Sequence, residues 1–191
     1  MSNGLFSYGE GLMDEVYNKY SAKRQTVEMI ALGLLGFLVP FVTGAPQLLV
    51  GAFVNALLIR SALSLQSYRT LPIIFTPSIG ALMQGALFGP MNYFLVFMMP
   101  FIWMGNALLV YAFKKKIRNG YNYFLTLAGA SLGKAGILYA AAYVLFAANV
   151  VPSIFLTAMG MIQLVTAVLG GIIVYAELKA EDITVNKNRI K

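Results

Sequence analysis

The chain has 191 residues, 59% of them hydrophobic and 11% charged, with a mean hydropathy of +0.75. A soluble domain of this length could not hide so much apolar surface, and the length fits one helical bundle without a separate soluble domain. The net charge of +7 would suggest nucleic acid in a soluble protein, but here it reads as topogenic charge plus attraction to anionic lipid headgroups, with no nucleic-acid partner.

The N-terminal segment, residues 1–26, comes first. Within it Met13, Val16, Tyr17 and Tyr20 recur at helical spacing, with acids and Lys19 on the other faces. This predicts a short amphipathic helix over 11–22, lying on the cytoplasmic membrane surface. The apolar run begins only after about 26 residues and follows acids, unlike the basic stretch and short apolar core of a cleaved signal. The first span is therefore expected to be retained.

Six apolar spans follow, at 27–43, 47–66, 71–89, 91–113, 122–148 and 153–176. Each approaches the roughly 20 residues needed to cross the hydrocarbon. Long runs without two-residue alternation exclude a barrel. The fold class is an all-α membrane protein, a six-helix transmembrane domain over 27–176 with a cytoplasmic tail over 177–191 that looks polar and loose beyond Glu181.

The connections fix the expected orientation. Those around Gly44–Pro46, Gly89–Met91 and Asn149–Pro152 carry no charge. The other two and both tails hold nearly every basic residue, including Lys23, Arg24, Arg69, Lys114, Lys115, Lys116 and Lys179. Basic residues near span ends stay inside, so both termini are expected in the cytoplasm and the protein in the plasma membrane. Pro77 and Pro100 interrupt spans three and four, and Pro100 should free the carbonyl of Val96. Gly129, Gly133, Gly136, Gly170 and Gly171 read as close helix packing.

With no Cys and no His, thiolate zinc sites, Fe–S clusters, His-ligated haem and Cys or His catalysis are excluded. No acid lies deep in a span. That argues against an ion-coupled carrier and against a membrane hydrolase. Neither cofactor nor metal is expected, and no enzymatic activity.

Two basic residues remain inside spans. Lys134 lies near the middle of span five. Burying its ammonium costs at least about 2.5–3.5 kcal/mol on the insertion scale. With no intramembrane acid, compensation must come from an anionic ligand, a partner's acid, carbonyls freed by kinks, or loss of the proton; the alternative is snorkelling or a wet gap. Arg60 is close enough to the inner end of span two to reach headgroups, or a partner. Trp103 and Asn106 share a face of span four with Met99. An indole, an amide and a cation suit a planar or partly apolar molecule bearing a carboxylate; equally, Trp103 can pack in the bundle and Asn106 can bond a neighbouring helix. Asn55, Gln84 and Gln163 are further intramembrane amides, able to glue helices or to orient a solute.

Three strings carry a resemblance: TGAPQLLVGAFVNALL at 43–58, PFIWMGNALLV at 100–110 and GASLGKAGILY at 129–139. With the size and the order of spans, they resemble the substrate-binding (S) subunits of energy-coupling factor (ECF) transporters, in a subgroup of unassigned substrate. The matches fall on Asn55, Pro100, Gly105, Asn106 and Lys134. The resemblance covers roughly 27–176. It implies a six-helix bundle that binds a vitamin-like solute from outside, associates with a transmembrane coupling subunit and two ATPase subunits, and topples to release the solute inside. Many members dock the coupling subunit through an Ala-x-x-x-Ala pattern on helix one. This chain has Ala31-Leu-Gly-Leu-Leu-Gly36 there, with small residues at Gly33 and Gly36.

The expected function is a solute-binding subunit of an ECF-type importer. Its candidate solute-binding residues are Lys134, Asn106, Trp103, Asn55, Gln84 and Gln163. The competing expectation is an accessory or structural subunit of a larger membrane complex, which would turn its polar residues outward to meet acids on neighbouring chains.

Overall fold

The computed structural model describes residues 22–43, 46–85 and 89–189. Residues 11–21 of the expected amphipathic helix lie outside them. The described chain is helical, in the order α1 (Ala22–Thr43), α2 (Gln47–Ser64), α3 (Leu71–Gln84), α4 (Leu95–Asn119), α5 (Tyr123–Ala147), α6 (Ile154–Met159) and α7 (Met161–Arg189). Short 3₁₀ turns at Ser67–Thr70 and Gly89–Phe94 lead into α3 and α4. Five stretches are long and apolar enough to cross a membrane: Ala22–Thr43, Gln47–Ser64, Gly89–Lys116, Tyr123–Ala147 and Ile154–Ala180. The fold is that of an all-α, multi-pass membrane protein.

Three segments depart from the sequence reading. The third span ends early, because Gly85 takes a left-handed conformation (φ 78°) and closes α3 on the carbonyl of Ala81. At 14 residues, α3 is about 21 Å long. The sixth span is broken at Gly160 into α6 and α7. A side chain at Gly160 would sit 2.8 Å from the Tyr139 ring and 2.9 Å from the carbonyl of Leu156, so only glycine fits this break. The tail expected to be loose beyond Glu181 instead continues α7 as helix to Arg189.

The helices pack most closely in three pairs: α1 with α3, α2 with α7, and α4 with α5. Backbone proximity explains each. A Cβ at Gly170 would lie 2.7 Å from the amide nitrogen of Ala56 and 2.8 Å from the carbonyl of Ala52, so α7 rests on the backbone of α2. Gly133 admits Leu108 of α4. Gly33 and Gly36, the small residues of the first span, face Pro72, Ile73 and Thr76 of α3, and Thr76 donates to the Gly33 carbonyl at 3.0 Å. They serve the contact between α1 and α3. Gly129 and Gly136 meet nothing within 4 Å, so the expected close packing holds at Gly133, Gly170 and Gly171 only.

The basic residues gather at one end. Lys114 donates to the carbonyl of Leu65 just past α2 (2.5 Å), and Arg69 donates to the carbonyl of Ala22 at the start of α1 (3.1 Å). Arg60 pairs with Glu177 of the same chain at 3.7 Å, with both side chains partly exposed.

Candidate functional site

Asn55, Asn106 and Lys134 occupy corresponding levels: each lies within two residues of the midpoint of its helix. All three point inward and are buried, at 1%, 1% and 2% exposure. The Lys134 Nζ donates to Asn55 Oδ1 at 2.6 Å and to Asn106 Oδ1 at 2.8 Å. Its stem passes Gly105, where a Cβ would stand 3.1 Å from Lys134 Cγ. Glycine beside the ligating asparagine therefore keeps the path of the lysine clear.

Both amides are held with oxygen toward the cation. Asn106 Nδ2 donates to the carbonyl of Ile74 at 3.0 Å. That carbonyl lies three residues before Pro77, in the turn where the proline removes a backbone donor. Asn55 Nδ2 donates to the carbonyl of Gly51 (2.8 Å) and to Thr166 Oγ1 (3.2 Å). Thr166 in turn donates to the carbonyl of Gln163 at 3.1 Å. One hydrogen-bonded set thus ties α2, α3, α4, α5 and α7 together around a single ammonium.

The ammonium is answered by neutral dipoles. Among the described residues no carboxylate pairs with it, and its third N–H has no protein acceptor. Hydrogen bonds to a charged group contribute about 1.5–3 kcal/mol each. Desolvating an ion costs several kcal/mol. Two amide oxygens offset much of that cost and leave the site electropositive.

A cavity of about 80 Å³ begins at this level. Its polar lining is Gln47, Asn55, Ser78, Asn106, Lys134 and Gln163. Apolar side chains including Val50, Val54, Leu95, Ile102 and Met159 form the rest of the wall. Gln47 and Leu95 begin their helices just after uncharged connections, so the cavity runs from the helix midpoints toward that end. Lys114 and Arg69 lie at the other end.

Of the six sequence candidates, Lys134, Asn55 and Asn106 meet directly, and Gln163 lines the same cavity. Trp103 stands behind the wall: its Nε1 donates to Ser78 Oγ at 2.8 Å, and its ring packs edge-on to Phe75 at 5.0 Å. It positions Ser78, which lines the cavity. Gln84, the last residue of α3, is outside the lining. Pro100 faces outward. Sequence reasoning missed Gln47, Ser78 and Thr166. Ser78 follows the kinking Pro77 directly, a signal that could have marked it.

No model of a known protein family matches the chain, and neither a curated protein nor a solved structure does.

Proposed function

We propose that this chain is the solute-capturing membrane subunit of an ECF-type importer. In the plasma membrane, with both termini inside, it takes a small, anionic, vitamin-like micronutrient from the outer side. A transmembrane coupling subunit and ATPase subunits supply transport energy. The observation that carries this reading is the inward-facing Lys134 at the floor of a cavity, with one N–H uncommitted and no carboxylate of the described chain paired to it. Under the positive-inside rule, the uncharged connections support a mouth on the outer side. The resemblance of the three sequence strings supplies the transporter class.

An accessory subunit would present Lys134 and its amides on the outer face of the bundle, ready for a neighbour's acid. Their burial speaks against that role, and Arg60 already has an acid of its own chain. The test is mild purification followed by native mass spectrometry. A retained small molecule and a co-purifying coupling subunit with ATPases are the expected result. A bare chain, or one held in a complex lacking any ATPase, would overturn the reading.

A further inference from the structure

We infer that the cavity takes a monocarboxylate with a slim apolar body, carboxylate first, its far end neutral. This rests on the solute-capturing reading above and narrows its substrate class.

The head group follows from the donors. Lys134 is the one charged residue on the cavity lining. Both N–H groups of Asn55 Nδ2 are committed, to Gly51 and Thr166, while Asn106 Nδ2 gives one of its two to Ile74 and keeps the other. Ser78 Oγ donates to the carbonyl of Phe75 at 3.0 Å and accepts from Trp103. The floor therefore has two N–H groups to spare, one on the ammonium and one on Asn106, with a single positive charge. That matches one carboxylate. A group carrying two charges and several acceptor oxygens, such as a phosphate monoester, asks for more donors than this floor has.

The body follows from the walls. Above the floor stand Val50, Val54, Ala81, Leu95, Ile102 and Met159. They reward apolar surface and give a polar middle nothing to bond. A volume of about 80 Å³ is small beside the roughly 300–1,000 Å³ of drug-sized ligand pockets, which favours a slim body.

The far end follows from the amides higher up. Gln163 lies one helical turn from Thr166. Gln47 lies eight residues, about 12 Å, from Asn55 toward the mouth. Gln47 Nε2 makes a long contact of 3.5 Å to the carbonyl of Ala158. These are neutral groups, so a second carboxylate at the mouth would meet no cation and an ammonium there would meet no acid.

The test uses the full chain in nanodiscs of neutral lipid, with four probes of equal carbon count: hexanoate, hexanamide, hexylamine and adipate. Thermal unfolding and competition report binding. Hexanoate is expected to raise Tm and to be preferred over each of the other three by roughly tenfold or more. Lys134→Ala should lose this response. Asn55→Asp is the control for misfolding: it places a carboxylate on the ammonium from within the chain, at the cost of the bond to the Gly51 carbonyl and of turning the Thr166 hydroxyl from Gln163 toward the new oxygen. This variant should stay folded, with Tm within a few degrees of the wild type, yet give no response to hexanoate. Equal binding of hexanamide, tighter binding of adipate, a retained response in Asn55→Asp, or silence toward all four probes would each overturn the inference. The two readings fail separately. A retained solute that is neutral or doubly charged, found beside its ATPases, removes this inference and leaves the importer. Hexanoate binding as expected by a chain with no coupling partner does the reverse.

Discussion

Two lysines of this chain are tied to oxygen dipoles, and they differ in what they have left to give. Lys114 sits at the basic end of the bundle, where its Nζ caps the carbonyl of Leu65 beyond α2. That carbonyl belongs to a helix terminus and lacks an intrahelical donor, so the lysine completes a backbone account. Lys134 sits at the midpoint of α5 and is held by side-chain amides that are themselves fixed from behind. The first cation is spent on structure close to water. The second is buried at the floor of the cavity with one N–H left over. Position along the helix separates a cation fully given to structure from one with a donor to spare; residue type does not.

The sharpest way to break this contrast is to remove each charge in turn. Lys134→Met keeps the stem and drops the ammonium; losing one charge-assisted bond to the solute should weaken binding by about 100-fold, measured by titration in nanodiscs. Because the buried charge is only partly compensated, its removal should leave Tm within a few degrees of wild type. If binding survives intact, Lys134 is structural too and the contrast fails.

Gly170→Ala acts on the frame instead. Its methyl would press on the backbone of Ala52 and Ala56 and on Cβ of Asn55 itself. Overpacking of this kind costs about 1–3 kcal/mol. Tm should fall by roughly 2–4 °C per kcal/mol, read by thermal unfolding. Lys114→Ala should cost about 1–3 kcal/mol by taking the donor from the carbonyl of buried Leu65, with solute affinity unchanged. A matching loss of affinity would show that the two ends are coupled.

Smaller effects test the edges. Trp103→Phe removes the bond to Ser78 Oγ while keeping the ring against Phe75; about 1 kcal/mol of stability should go, and affinity should move less than about threefold. Arg60→Gln breaks a partly exposed pair with Glu177, for which the usual value is below about 1 kcal/mol, so neither measurement should change beyond error.

Much of this was legible in one dimension, because the bilayer imposes a hydropathy period that a sequence displays directly. Helix positions follow from it, and a lysine at the centre of an apolar run is visible by inspection. The amides at Asn55 and Asn106 were visible as well. Their orientation was not, since the amide rotation is set by Ile74, Gly51 and Thr166 on other segments. Kink-freed carbonyls were one of the four ways the sequence left open for answering the cation. Instead Asn106 stands between, bonding the carbonyl near Pro77 with one end and the ammonium with the other. The break at Gly160 was hidden because no proline marks it; the crowding that requires glycine comes from Tyr139, on α5. Trp103 shares a helical face with Asn106, as the spacing implies, but a face is wider than a cavity, and the indole is engaged by α3 at Ser78.

The order of residues along the chain also bears on how the protein is made. The two acceptors of Lys134 lie 79 and 28 positions upstream of it. Synthesis runs from the N-terminus, so α2 and α4 are delivered to the membrane before α5 emerges. The ammonium can then pass directly from the aqueous path of insertion to waiting amide oxygens, without a stage alone in lipid. Thr166 follows them in chain order and accepts from Asn55 Nδ2. α7 thus adds its hydroxyl to a set whose cation already has both of its amide acceptors.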